Sequence, residues 1–359
     1  MVDDRSVPQA EVNGDRGLIL ANAERLLRLL MALPGRRDDA LAVVNGFFGD
    51  RLADQGSPLA ISMTLRSRTD ALTLDRDSLA EAFPQATGRI CLFVHGLMAN
   101  ESIWEFPGDP HTTYGSLLAR DHRVTPIYLR YNTGRHISVN GRELAGLLHR
   151  LVSAWPVRVN DISLIGHSMG GLVIRSSCHY VSAMHPWWSV ISLRRPWISK
   201  TRRVVLIGVP NTGAPLEVFV NLTSAALWSL PIPATRLVGM GLDTRSAGIR
   251  DLRFGAITDE DWLERDPGAL HRPVPHRVAK RKREAYLIIA GGITADTSHP
   301  FTRVFGDIFV TPSSAAGTVG ETTDEGLFPG STVRQFPKVT HLPLAHRPEI
   351  YDEIDRWWR

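Results

Sequence analysis

Residues 161–180, DISLIGHSMGGLVIRSSCHY, constrain the fold more than any other part of the chain. The segment begins as a short apolar strand and ends with helical spacing. Between the two patterns, Gly166 and Gly170 stand two positions before and after Ser168. Glycine suits such a turn because a side chain would collide with the neighbouring strand or helix. The segment predicts a strand–turn–helix unit that presents the Ser168 hydroxyl at a helix N-terminus, where backbone N–H groups favour negative charge.

Apolar strands alternate with helical segments along the rest of the chain. The predicted strands cover residues 58–66, 89–96, 122–131, 162–165, 202–210, 283–292 and 331–336, and the predicted helices cover 18–33, 41–48, 140–154, 170–180 and 348–358. This alternation is typical of a mostly parallel sheet with helices on both faces, which makes an α/β fold the expectation. Residues 1–85 are expected to form an N-terminal helical extension with the first strands, and residues 86–359 the main domain.

Two insertions interrupt this alternation, at residues 182–200 and 211–281. Insertions of such length are usually lids or binding loops, and the longer one leaves the strand that follows the Ser168 unit. A packed helical pair without a binding role is the alternative. Trp197 is expected to join an apolar surface over the carboxyl edge of the sheet. The candidate substrate-binding residues are Trp104, Trp187, Trp188, Phe219 and Leu227.

Composition is typical of an ordinary globular protein and indicates neither a nucleic-acid partner nor a disulfide framework. The 359 residues are 43% hydrophobic and 22% charged, with a formal net charge of +4. One dense basic run, at residues 280–283, is short and is followed by Glu284, so no nucleic-acid partner is predicted. Cys91 and Cys178 give no disulfide framework. No metal-ligand spacing such as H-E-x-x-H or paired C-x-x-C appears, so no metal is predicted, and no cofactor is expected.

The N-terminal segment carries no recognisable targeting signal. The first sixteen residues hold four acidic side chains and no apolar stretch. Residues 18–33 are more apolar, but Glu24, Arg25 and Arg28 interrupt them, and the segment is too short to span a bilayer. Its apolar stripe favours a docking face, with contact with a lipid surface as the alternative. A cytoplasmic location is expected; the oligomeric state is left open.

A second turn upstream of Ser168 suits the same chemistry. His95 and Gly96 follow an apolar strand within CLFVHGLMANESIW. Acyl transfer builds negative charge on a carbonyl oxygen, and fixed backbone N–H groups stabilise that charge. Leu97, after His-Gly, and Met169, after the serine, are the predicted donors.

Taken together, these motifs resemble α/β-hydrolases of the bacterial lipase and esterase kind, including the branch of inositol-deacylase-like proteins. The shared pieces are FVHGL, GHSMGG and VVLIGVPNTGAPL, in which Asn211 replaces the usual histidine after the proline. The resemblance runs from about Arg89 to Arg359. It implies the α/β-hydrolase fold, with helical lid insertions, and a triad in the chain order serine, acid, histidine.

The resemblance also implies the position of the acid. The family motif G-D-G-L-V-P-x-x-S-A corresponds to GDIFVTPSSAAG, which places the acid at Asp307. Ile308 and Phe309 stand where Gly-Leu is usual. Asp296 and Asp324 are the competitors.

For the histidine, the family pattern H-x-x-L after the last strand corresponds to His341. His346 is the competitor, and it stands closer to the start of the final helix. The implied function is a serine hydrolase that cleaves carboxylic esters of small molecules or lipids with Ser168, Asp307 and His341. An amidase or acyltransferase with the same triad is the first alternative, and a non-catalytic binding protein of the same fold is the second.

Overall fold

The computed structural model describes residues 9–32, 35–183, 197–213, 246–263, 283–292 and 327–359. In this part of the chain the strands are β1 (Thr64–Arg66), β2 (Arg89–Val94), β3 (Glu105–Phe106), β4 (Asp109–Thr113), β5 (Thr125–Arg130), β6 (Asp161–His167), β7 (Thr201–Ile207), β8 (Ala285–Gly292) and β9 (Thr332–Pro337). The α-helices are α1 (Gln9–Met31), α2 (Arg37–Asp54), α3 (Arg76–Ala82), α4 (Tyr114–His122), α5 (Ile137–Ala154), α6 (Met169–Ala183), α7 (Ala247–Phe254), α8 (Glu260–Leu263) and α9 (Pro348–Trp358). Short 3-10 helices cover Glu101–Trp104, Trp197–Lys200 and Leu342–Ala345.

Seven strands form one sheet in the order β1-β5-β2-β6-β7-β8-β9. β1 pairs with β5 antiparallel, and each of the other neighbouring pairs is parallel. The predicted α/β fold with a mostly parallel sheet is therefore confirmed. Because parallel strands end at the same edge, the segments after β2, β6, β7 and β9 lie together there.

Successive residues of the central strands point to opposite faces of the sheet, and each face is covered by helices. Leu92 and Leu164 lie in a core with α5 and α6, which contribute Leu144, Leu148 and Leu172. On the other face, Phe93, Ile165 and Val205 lie in a core with Leu118 of α4 and Ile354 of α9. The predicted helical cover on both faces is thus confirmed.

The first two helices pack into a separate apolar cluster. Ala23, Leu26 and Leu30 of α1 are buried with Val44 and Phe48 of α2. The helix predicted at 41–48 is longer than expected, since α2 runs from Arg37 to Asp54. Met98, in the segment after β2, packs against this cluster.

The strand predicted at 58–66 was too long, because only Thr64–Arg66 pair with the sheet. The side chain of Asn45 on α2 explains the difference. Its Nδ2 donates to the Leu59 carbonyl at 2.8 Å, and its Oδ1 accepts from the Ile61 amide at 2.9 Å. These bonds hold the preceding residues against the helix, outside the sheet.

The first insertion differs from expectation at its end. Trp197 is only 1% exposed, and its Nε1 donates to the Ala145 carbonyl of α5 at 3.1 Å. It is a core residue, because an indole both apolar and hydrogen-bonded fits the space beside α5. The prediction that Trp197 joins an apolar surface over the carboxyl edge of the sheet was therefore wrong, since it lies just before the first residue of β7. Trp187, Trp188, Phe219 and Leu227 lie outside the described residues.

Part of the second insertion, at 246–263, forms α7 and α8. It docks on α2, where the Ser246 hydroxyl donates to the Gly46 carbonyl at 2.7 Å and the Ala247 amide donates to Asp50 at 2.8 Å. Among the described helices, none combines the length and the apolar character that a bilayer crossing needs.

Candidate active site

Ser168 lies at the turn between β6 and α6. Its φ is +54°, in the left-handed region that residues other than glycine seldom occupy. The Ser168 amide donates to the Ile207 carbonyl at the end of β7 at 2.8 Å, and its carbonyl accepts from the Gly171 amide at 3.0 Å. The backbone on both sides of the serine is therefore fixed by its neighbours.

Close backbone approach explains the glycine after the serine. A Cβ added to Gly170 would lie 2.2 Å from the Val94 carbonyl oxygen, at the end of β2. The N-terminus of α6 consequently sits directly against the central strands. The predicted strand–turn–helix geometry around the serine is present, and it leaves Ser168 buried, with 3% exposure.

The turn after β2 lies beside the serine. A Cβ added to Gly96 would lie 2.8 Å from the Ser168 Cβ. Leu97 and Met169, the two predicted oxyanion donors, are both buried. Within the described part of the chain, neither backbone N–H donates to an acceptor in the turns and loops. A role as oxyanion donor would require an N–H without such an acceptor.

His95 helps to fix the turn after β2. Its Nδ1 donates to the Gly96 carbonyl at 2.9 Å, and its ring stacks on Tyr131 with centroids 4.6 Å apart. The Tyr131 hydroxyl donates to the His95 carbonyl at 2.9 Å. Complete burial lowers the pKa of His95 to about 4, so the ring is neutral near pH 7. Sequence reasoning had assigned His95 no role of its own, because burial of its ring depends on distant residues.

His341 follows β9 and begins the 3-10 helix Leu342–Ala345, with a fully buried ring. This ring packs on the backbone at the end of β7, since a Cβ added to Gly208 would lie 3.0 Å from Cε1 and 3.1 Å from Nδ1 of His341. Ile207, which precedes Gly208, accepts the Ser168 amide. The structure therefore brings His341 and Ser168 to adjacent places at the carboxyl edge of the sheet.

His167, which precedes the serine, holds the histidine loop. Its Nε2 lies 3.0 Å from the His341 carbonyl oxygen, and the two ring centroids are 4.7 Å apart. Since a carbonyl only accepts, Nε2 of His167 carries the proton. Burial, with a contribution from His341, lowers the pKa of His167 well below its ordinary value, so this ring is also neutral. No sequence pattern had singled out His167 beyond its place in the motif.

The competing histidine is held elsewhere. Nδ1 of His346 donates to the carbonyl of Ile103, in the 3-10 helix Glu101–Trp104, at 2.9 Å. Its ring is thereby tied to the segment after β2, whereas the ring of His341 packs at the end of β7. This difference favours His341 as the partner of Ser168. The three candidate acids, Asp296, Asp307 and Asp324, lie outside the described residues.

Trp104, the described member of the predicted substrate-binding set, is a core residue. It is fully buried, and its ring packs edge-on against Phe93, with centroids 5.2 Å apart, and against His167, 6.3 Å away. Its ring supports the turn at Ser168 through the contact with His167. Trp104 is therefore not proposed as a substrate contact.

Comparison with known proteins identifies one family and several similar structures. A model of the alpha/beta hydrolase family matches residues 91–353. Among solved structures, the mature lipase BlEst2 of Bacillus licheniformis is 16% identical, with 75% of this chain and 90% of that chain covered and a TM-score of 0.45. Lipase 1 of Pelosinus fermentans is 13% identical, with 76% of this chain and 98% of that chain covered and a TM-score of 0.43. A thermophilic esterase of Thermogutta terrifontis is 16% identical, with 76% and 90% covered and a TM-score of 0.40. A comparison with curated proteins found no match.

Proposed function

Because the chain belongs to the alpha/beta hydrolase family, we propose that it is a serine hydrolase that cleaves carboxylic esters with Ser168 as nucleophile. The observation that carries the proposal is the geometry at Ser168. A buried serine with positive φ stands at the start of α6, beside the turn after β2, and the buried ring of His341 packs at the neighbouring end of β7. A chain without this chemistry has no physical need to keep a serine in a left-handed conformation.

In the proposed reaction, His341 takes the Ser168 Oγ proton as the oxygen attacks the ester carbonyl. The carbonyl oxygen becomes negative, and the N–H groups of Leu97 and Met169 stabilise it. Collapse of the tetrahedral intermediate breaks the bond to the alcohol oxygen, which receives the proton from His341. Water then attacks the acyl-enzyme by the same steps, and releases the acid and restores Ser168.

Asp307 is proposed to orient the His341 ring and to stabilise its charged form. The support is the resemblance of residues 306–317 to the family motif. The chain order Ser168, Asp307, His341 is also the order of this fold. A small-molecule or lipid ester is the proposed substrate, and the inositol-deacylase-like branch is the proposed subgroup, on the FVHGL and GHSMGG motifs.

The reaction class is tested with one acyl group in three reactions: ester hydrolysis, anilide hydrolysis, and transfer from the ester to an alcohol. p-Nitrophenyl butyrate, butyryl p-nitroanilide, and the ester with added short-chain alcohol are compared on the same preparation. We expect ester hydrolysis to exceed anilide hydrolysis and the formation of a new ester. Faster anilide cleavage would make the protein an amidase, and dominant transfer to the alcohol would make it an acyltransferase.

A further inference from the structure

Met98, next to the proposed oxyanion donor Leu97, has an unusual backbone conformation. Its φ is +58°, in the left-handed region, although it carries a long side chain. Residues other than glycine persist there only when their surroundings fix them. The direction of the Leu97 N–H depends on this turn, so whatever holds Met98 also sets the geometry of the oxyanion hole.

Thr133, from the segment after β5, supplies one of the contacts that hold Met98. The Met98 amide donates to the Thr133 Oγ1 at 3.2 Å, and Thr133 is 1% exposed. Thr133 is itself held by α7, because a Cβ added to Gly248 would lie 2.1 Å from the Thr133 carbonyl oxygen. The hydroxyl therefore lies on a fixed support.

Helix α2 of the N-terminal extension supplies the other contacts. Gly46 leaves space for the Met98 side chain, since a Cβ added to Gly46 would lie 2.2 Å from the Met98 Cγ. Farther along the same loop, Asp39 accepts from Asn100 Nδ2 at 2.7 Å and from the Ser102 hydroxyl at 3.2 Å. The loop after β2 is thus in contact with α2 at Met98 and again at Asn100 and Ser102.

We propose that Thr133 and Gly46 are positioning residues of the oxyanion hole, and that α2 is a working part of the active site. They hold Met98 in its left-handed conformation and so direct the Leu97 N–H toward the carbonyl oxygen of the substrate. This inference rests on the proposed function, since it assigns α2 and Thr133 to the same site. Mere packing of α2 would instead affect stability without a specific effect on the chemical step.

The first test compares Thr133→Val with Thr133→Ser. Valine keeps the shape but removes the acceptor of the Met98 amide, whereas serine keeps the hydroxyl. With p-nitrophenyl butyrate, we expect Thr133→Val to lower kcat about 10- to 100-fold with little change in KM, which is less than the full loss of an oxyanion donor. Thr133→Ser should restore kcat to within about threefold of the wild type, because the donor and acceptor pair is retained.

The second test compares Gly46→Ala with Gly146→Ala. A methyl group at Gly46 must displace Met98, whereas nothing lies within 4 Å of a Cβ added to Gly146 on α5. Gly46→Ala should lower kcat by a similar factor, and Gly146→Ala should leave kcat unchanged. If Thr133→Val and Gly46→Ala both keep kcat within about twofold of wild type in folded protein, the proposal is overturned.

Amide hydrogen exchange of a peptide covering residues 95–100 provides a readout that does not need catalysis. Thr133→Val should exchange at least about tenfold faster in this peptide than wild type, with exchange in α5 unchanged. If the wild type neither hydrolyses esters nor reacts with a fluorophosphonate, the proposed function fails, and the exchange result still decides whether Thr133 holds the turn. Unchanged exchange in this peptide would contradict the inference even in an active hydrolase.

Discussion

His167 donates a hydrogen bond from Nε2 to the carbonyl oxygen of His341 at 3.0 Å. The residue before the nucleophile therefore holds the loop that carries the proposed general base. Because burial keeps the His167 ring neutral, the donor remains in the same tautomer near pH 7. His341 and His167 thus have different tasks: His341 is proposed to move a proton, and His167 fixes the backbone that carries it.

Replacement of His167 tests this division. His167→Phe keeps a ring but removes the donor, and we expect kcat for p-nitrophenyl butyrate to fall about tenfold because the His341 loop shifts. His167→Gln can still donate to the carbonyl and should lose less. The pH at which kcat/KM falls on the acid side should stay the same in both variants, since His167 does not titrate in that range. Equal activity of wild type and His167→Phe would show that His167 does not position the His341 loop for catalysis.

Stability should fall with acid before the carboxylates titrate, and His95 should cause part of the fall. Its folded pKa is about 4 against 6.5 for an ordinary histidine, so the unfolded chain binds the proton first as pH drops. The stability that this difference supplies is present above pH 6.5 and is lost as pH falls toward 4. The full difference corresponds to about 3 kcal/mol.

Urea unfolding at pH 7.0, 6.0 and 5.0 measures this effect. We expect His95 to contribute about 2 kcal/mol to the fall in the free energy of unfolding over this range, so that the fall is smaller by about this amount in a folded His95→Gln variant. An identical slope in the two proteins would show that His95 does not carry the pH dependence.

Asp307 is the least constrained member of the triad, because all three candidate acids lie outside the described residues. Asp307→Asn should lower kcat by about 10⁴, the loss expected when the orienting acid is replaced, and Asp324→Asn and Asp296→Asn should change it little. The three variants share the same loss of charge, so each serves as a control for the others. A larger loss in Asp324→Asn would transfer the role to that residue.

The acyl preference tests whether the insertions bind substrate. If Trp188 and Phe219 contribute to an apolar acyl site, each added methylene should raise kcat/KM about two- to fourfold, from acetate toward octanoate, until the site is filled. Trp188→Ala should lower the rate on octanoate more than on acetate. A series that is flat from acetate onward would mean that the insertions only pack against the domain.

Local patterns sufficed to predict the strand–turn–helix unit around Ser168, because its residues follow one another in the chain. The strand that ends at His167, the glycines around Ser168 and the helix that follows could be read directly, because period and turn chemistry are local. The last strand was predicted to within one residue at each end, since β9 covers Thr332–Pro337. The choice of His341 over His346 remains a prediction. Strand bounds differed where a distant side chain intervened, as Asn45 does at Leu59 and Ile61.

The roles that sequence reasoning missed depend on contacts between distant residues. Trp197 is buried beside α5, where it donates a hydrogen bond to the Ala145 carbonyl. The Met98 amide donates to Thr133, and the Met98 side chain occupies the space beside Gly46. Nothing within a few positions of these residues indicates such partners. In the same way, the tautomer of His167 follows from the His341 carbonyl, which only the fold brings close.

The central claim is that Ser168 is the nucleophile of a serine hydrolase, and the site of fluorophosphonate labelling tests it most directly. Wild type is labelled, digested and analysed by peptide mass spectrometry beside Ser168→Ala and Ser177→Ala. Ser177 is a matched control, since it is a buried serine on α6 whose hydroxyl donates to the Ile174 carbonyl at 2.8 Å. We predict one phosphonylated site at Ser168 in wild type and in Ser177→Ala, and no labelling in folded Ser168→Ala. Labelling that persists in Ser168→Ala, or a folded wild type that stays unlabelled, would contradict the claim.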